Sequence, residues 1–231
     1  MSSYEPIFPP EWSDLTNMVN TRTESIYEQL DKLPIARHGE LYGLLRQFKQ
    51  NISWHVPTPG LIDLLVENSP VIGVCSGLGY TESLARDAGC DIIATDIDPK
   101  RMSGYRPKTG ARQFMKIVKQ DAVAAVMEYP DRTVFLGWPP YESTGQGESG
   151  IAYDVAVAME VGQTIIYIGE GYGGCTGDDF FHHALDTYFD EIQISANVAQ
   201  FFSIHDHAMM YQKRDIIDME EVKAYCTEHT Y

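Results

Sequence analysis

The chain has 231 residues, 44% of them hydrophobic and 22% charged, with 17 Lys plus Arg against 33 Asp plus Glu for a formal net charge of −16. That length supports one sizeable α/β domain with a real core, or a domain with a small appendage. A negative field of this size repels phosphate backbones and anionic lipid, and the longest apolar run, residues 164–168, is far too short to cross a bilayer.

Residues 1–53 read as a helical N-terminal extension. Glu11-Trp12-Ser13-Asp14 opens a helix with Ser13 or Asp14 as cap, and Tyr27, Leu30 and Leu33 recur at helical spacing. Pro34 interrupts, and Leu41, Leu44, Leu45 and Phe48 form a second amphipathic pattern. In the loop at 54–60, Thr58 is the expected N-cap and Pro59 the first helical residue of a helix apolar at Leu61, Ile62, Leu64, Leu65 and Val66. Strands follow at 71–74, 91–95, 115–118, 133–136 and 163–168, with late candidates at 191–196 and 208–212. Helices alternate with them at 80–88, 122–127, 152–161 and 178–188. The pattern predicts one doubly wound, mostly parallel α/β sheet over 54–214, with helices on both faces and a reversed last strand. Residues 215–231 read as a C-terminal helix or tail. The low-complexity stretch at 142–150 (ESTGQGESG) is a candidate lid.

No basic region followed by an apolar core opens the chain, so no signal peptide is expected. Four separated cysteines, Cys75, Cys90, Cys175 and Cys226, form no CxxC pair and no zinc spacing with His. They predict reduced thiols and a cytoplasmic setting, with no metal. The basic residues Lys100, Arg101, Arg106, Lys108, Arg112, Lys116 and Lys119 read as a solvated face rather than a nucleic-acid patch.

The chemistry gathers at successive strand ends. A buried-type strand enters Cys75-Ser76-Gly77-Leu78-Gly79, a small-residue turn that opens a helix. Glycines there let a ligand approach the backbone, and the helix N-terminus offers N–H donors. The turn is not a P-loop, because no Gly-Lys-Ser/Thr follows. Asp96 lies 17 residues after Gly79 at the next strand tip, placed to accept hydrogen bonds from ribose hydroxyls; a helix cap is the structural alternative. Asp121 stands at the strand tip after that. The strand at 133–136 then empties into Gly137-Trp138-Pro139-Pro140-Tyr141, where two prolines force the chain out of the sheet.

In this order the motifs resemble those of the Rossmann-like S-adenosylmethionine-dependent methyltransferases, over roughly residues 54–214. The resemblance implies that Ser76, Gly77 and Gly79 hold the methionine part of S-adenosylmethionine, Asp96 the ribose and Asp121 the adenine amino group. Thr58-Pro59 and the Pro-Pro-Tyr turn also resemble elements of the amino-methyltransferase branch, with Trp54 as a cover for the cofactor. Trp54…Pro57-Thr58, Trp138-Pro139-Pro140-Tyr141, Tyr167-Ile168-Gly169-Glu170…Gly173-Gly174-Cys175-Thr176 and His205-Asp206 are similar to a little-characterised methyltransferase-like group. The chain departs from the pattern at Gly73, where an acid usually ends the first strand, at Cys75 for the first glycine, and at Trp138 for Asn or Asp. An indole donates one hydrogen bond and accepts none, which turns the Pro-Pro segment into an aromatic wall.

Trp138, Tyr141 and Glu170 are the acceptor-side candidates, with Glu170 as general base if burial raises its pKa. His182-His183 reads as surface, and His205-Asp206-His207 as a weak base or metal candidate. The expected activity is methyl transfer to a small molecule or protein. The alternatives are a non-catalytic methyltransferase-like binding or scaffold protein and a nucleic-acid amino-methyltransferase.

Overall fold

Thr58 accepts the N–H of Leu61 at 3.2 Å and Pro59 takes the first helical position, so the first helix of the α/β region begins where its capping residues predict. The computed structural model describes residues 5–13, 19–20, 39, 43, 46–98, 112–141, 149–196, 198–201 and 204–228. Within them the elements run β1 (Val19–Asn20), α1 (Pro59–Glu67), β2 (Val71–Val74), α2 (Tyr80–Asp87), β3 (Ile92–Asp96), β4 (Ile117–Lys119), α3 (Ala122–Glu128) and β5 (Thr133–Gly137). They continue as α4 (Ile151–Ala158), β6 (Thr164–Gly169), α5 (Asp179–Tyr188), β7 (Phe189–Glu191), β8 (Gln200–Phe201), β9 (His207–Lys213) and α6 (Met219–Glu228).

Seven strands form one sheet in the order β4-β3-β2-β5-β6-β9-β7, and β1 pairs with β8 in a separate two-stranded ladder. Neighbours from β4 to β6 are parallel, while β9 runs antiparallel to both β6 and β7. This is the fold class the sequence predicts. Strand periodicity splits the core between the two faces. Ile72, Val74, Val134, Leu136, Ile165 and Tyr167 pack under α3, α4, α5 and α6. Val71, Ile92, Phe135, Ile166 and Ile168 pack with Leu61, Leu65 and Ala85 of α1 and α2. A third cluster joins Phe48, Ile52 and Val56 to Tyr80 and Phe201, seating residues 46–56 on the N-terminal end of α2.

Two expectations shift. The strand predicted at 191–196 is displaced upstream, to Phe189–Glu191. Ile192 still donates to the Met210 carbonyl, but Ile194 and Ala196 pack against the α1 side without a ladder, so their alternation reflects burial rather than pairing. Residues 10–13 form a 3₁₀ turn closed by Trp12 N–H on the Pro9 carbonyl, and the helix expected after Ser13 or Asp14 falls outside the described residues. Asp14, Tyr27, Leu30, Leu33, Leu41, Leu44, Leu45, Lys100, Arg101, Arg106, Lys108 and residues 142–148 lie outside the described residues. Arg112, Lys116 and Lys119 are exposed along the β4 edge.

Candidate functional site

β2 and β5 are neighbours at the centre of the sheet, and both release the chain through a strained residue. Cys75 has φ of 54° and Trp138 has φ of 55°, the left-handed region that costs a non-glycine residue about 1–2 kcal/mol. Strain of this kind persists where surrounding structure enforces it, often at ligand sites. After Cys75 the turn is pinned by Ser76 N–H on the Thr95 carbonyl at 3.0 Å and by Gly77 N–H on Asp96 Oδ2 at 2.9 Å. Asp96 Oδ1 accepts the Asp98 N–H at 2.8 Å. Burial raises the Asp96 pKa against these two donors. Gly79, left-handed at φ 72°, then caps α2.

Between this turn and β5 lies a narrow cavity, open to solvent and lined by Trp54, His55, Ser76, Gly77, Glu82 and Gly137 among others. Two of its polar atoms are buried without a partner, His55 Nδ1 and Ser76 Oγ. His55 Nε2 pairs with Thr81 Oγ1 at 2.7 Å, and burial pushes the ring down to a pKa of about 4, so it is neutral at pH 7. A Cβ on Gly137 would lie 2.6 Å from His55 Cε1, so glycine here makes room for the imidazole. Glu82 is only 4% exposed. Burial lifts its carboxyl to about 7; the facing Ser76 hydroxyl tempers the rise without completing a full hydrogen bond, and Asp96 adds to it.

At the second turn, Trp138 N–H donates to the Ile168 carbonyl at 2.7 Å and Pro140 bridges to Thr176. The indole Nε1–H donates to Asp206 Oδ1 at 2.6 Å. Trp138 stacks on Trp54 with centroids 5.0 Å apart and planes 24° apart. Lys49 Nζ lies 4.2 Å from the Trp138 ring centre and 4.7 Å from that of Trp54, a cation–π arrangement. Asp206 is 1% exposed, and burial raises its pKa to about 7 against the Trp138 hydrogen bond and the Lys49 charge. Its Oδ2 is buried without a partner.

Glu170 differs from the expectation. Its Oε1 accepts the His205 N–H at 2.9 Å and its Oε2 the Cys175 N–H at 2.7 Å, while its own N–H donates to Thr176 Oγ1 at 2.7 Å. Burial pushes its pKa up, but the two backbone donors outweigh it and hold the carboxyl below its ordinary value. The condition for a general base, a raised pKa, is not met. Glu170 instead ties the loop after β6 to the segment before β9.

The structure thus brings Trp54, Ser76 and Gly77 to one cavity, with Asp96 bracing the turn through the Gly77 N–H. Gly79 packs toward Ile117 and Met115. Asp121 is exposed and caps α3 through the Ala124 N–H at 3.1 Å. Tyr141 is 43% exposed. Its pKa is raised by burial and by the nearby Asp179 and Asp178. His182 is buried with Nε2 on the Thr176 carbonyl, rather than at the surface, and His183 faces Glu221. Sequence reasoning missed His55, Glu82 and Lys49. Glu82 reaches the space that a side chain at Gly73 would fill, a contact that only the fold creates.

No protein-family model matches the chain, and no curated protein matches it. Solved structures similar to it include magnesium protoporphyrin IX methyltransferase (ChlM) from Synechocystis PCC 6803, at 12% identity over 78% of this chain and 86% of that one, with a TM-score of 0.46. TrmN from Thermus thermophilus is 15% identical over 74% of this chain and 53% of its own, with a TM-score of 0.43, so the chain spans about half of TrmN. A rRNA methylase from Streptococcus thermophilus is 14% identical over 67% of this chain and 94% of its own, with a TM-score of 0.38.

Proposed function

We propose that the cavity at the ends of β2 and β5 binds S-adenosylmethionine and that the chain is a methyltransferase for a small molecule or protein. The observation that carries this reading is the cavity itself: at the carboxyl edge of a parallel sheet, a strained small-residue turn faces a stacked indole, with Ser76 Oγ and His55 Nδ1 buried and unpartnered. Ser76 and Gly77 would hold the methionine part, Asp96 the ribose, Asp121 the adenine edge, and Trp54 would cover the ligand. Bound S-adenosylmethionine supplies an electrophilic methyl on a sulfonium centre, open to in-line displacement.

The chain's own task is then to align a nucleophile, exclude water and take a proton. Trp54 and Trp138 form an aromatic wall suited to a cationic or flat acceptor. Asp206 Oδ2, buried and free of donors, is the group suited to receive a proton, since its carboxyl sits near neutrality. Glu170 holds the loop over this side, and Tyr141 borders its exposed rim. Lys49 belongs to this wall, so residues 46–53 work with the α/β domain of 54–214 rather than apart from it.

A second reading, a ligand-binding protein without turnover, is favoured by one observation: the chain's own Lys49 already covers both indoles. A nucleic-acid amino-methyltransferase fits less well, because Trp138 spends its only side-chain N–H on Asp206 and the chain carries a net charge of −16. Equilibrium titration with S-adenosylmethionine tests the reading. Saturable binding that weakens at least tenfold in Asp96→Ala is expected; absence of binding at millimolar ligand rules out the methyltransferase.

A further inference from the structure

We infer that Glu82 is the carboxylate that receives a cationic ammonium group in this cavity, reaching from α2 into the space that a side chain at position 73 would occupy at the end of β2. The inference rests on the cofactor reading, since the ammonium at issue is the one on the amino-acid end of S-adenosylmethionine.

The geometry is specific. A Cβ built on Gly73 would lie 3.1 Å from both Cγ and Oε1 of Glu82, and 2.9 Å from Ser76 Oγ. The absent side chain of residue 73 and the carboxylate of residue 82 therefore compete for one volume. Glu82 is almost wholly buried, yet it lines the cavity. Among the described residues no Lys, Arg or His forms an ion pair with it. The hydroxyl beside it, Ser76 Oγ, is also buried without a hydrogen bond.

A buried carboxylate with no cation is costly, and burying it against a second acid costs more. Burial raises the Glu82 pKa, and the nearby Asp96 adds a little to the rise. Stability of the free protein gives no reason to keep an acid here. A bound cation removes the penalty: it restores the charged form of Glu82 and lets Ser76 direct its hydroxyl at the same group. The site therefore selects ligands that carry an ammonium next to the turn. A nucleoside lacking that group gains nothing from Glu82.

Calorimetry on the full chain, with S-adenosylmethionine and with 5′-methylthioadenosine, separates these contributions, because the second ligand keeps the nucleoside and thioether but has no ammonium. Glu82→Gln is expected to weaken S-adenosylmethionine by about 10- to 100-fold, the loss of one charge-assisted contact, and to leave methylthioadenosine within about twofold. Moving the acid provides a second arm. Glu82→Ala should bind S-adenosylmethionine poorly, and adding Gly73→Asp to it should recover most of the lost affinity. Gly73→Asp alone should weaken binding, because two carboxylates then collide. Equal weakening of both ligands in Glu82→Gln, or no weakening of either, overturns the inference while leaving the cofactor reading intact. A wild-type chain that binds neither ligand overturns the cofactor reading and this inference with it.

Discussion

The turn after β2 and the turn after β5 are built alike and finished differently. Each places a non-glycine residue at φ near 55°, Cys75 in one and Trp138 in the other. Each has a glycine whose missing Cβ admits a side chain from elsewhere, Glu82 at Gly73 and His55 at Gly137. Each faces a buried carboxyl lifted to about 7, Glu82 on one side and Asp206 on the other. The difference lies in what answers the carboxyl. Asp206 has the Trp138 N–H at 2.6 Å and the Lys49 charge nearby; Glu82 has no cation among the described residues. One side is completed by the chain itself, and the other is the side that the proposed ligand would complete.

Removing the carboxyl that is answered should do the most damage. Asp206→Ala removes the acceptor of the Trp138 indole N–H and the buried acid near Lys49, and a loss of about 1–3 kcal/mol in urea unfolding is expected. Asp206→Asn, which keeps an acceptor for Trp138, should lose less. A small loss in Asp206→Ala would mean that the two turns do not differ in this way.

Removing the unanswered carboxyl should do the reverse. The folded pKa of Glu82, about 7, stands above its ordinary 4.5, so the folded state keeps a proton that the unfolded chain releases. Its contribution to stability is complete below about pH 4.5 and is lost as pH rises through 7. Glu82→Gln should therefore gain on wild type by about 3 kcal/mol between pH 5 and pH 8, read as the difference of two denaturation series. A gain that does not grow with pH would show that Glu82 is paired in the free protein.

His55 titrates with the opposite sign. Its folded pKa of about 4 lies below 6.5, so the stability it contributes is present above 6.5 and is lost as pH falls through 4. Gly137→Ala drives a methyl into the ring and should cost about 1–3 kcal/mol by thermal melting. Cys75→Gly, the smallest effect, relieves a left-handed residue and should stabilise by no more than about 1 kcal/mol, because glycine also loosens the unfolded chain.

The sheet was readable because its signals are local. Runs such as residues 164–168 mark central strands, and Thr58-Pro59 and Asp178 mark helix starts by their hydrogen-bonding chemistry. The β1–β8 ladder has two residues on each strand, too few for a periodic pattern. The site was half readable. Strand-end position placed Ser76, Gly77, Asp96 and Trp138 at the carboxyl edge of the sheet, and Trp54, from the loop before α1, lines the cavity there. Position did not fix side-chain contacts: that Asp121 caps α3 and that Tyr141 is 43% exposed came only with the fold. Glu82 and Asp206 matter through contacts with Gly73 and Trp138 that only folding creates.

Residue-resolved carboxyl titration by NMR, with Glu82→Gln and Asp206→Asn supplying the assignments, tests the contrast between the two turns most directly. In the free protein both groups should titrate near 7. On saturation with S-adenosylmethionine, Glu82 should move well below neutrality while Asp206 changes little. Two carboxyls that shift together, or a Glu82 that stays near 7 with ligand bound, would contradict the account.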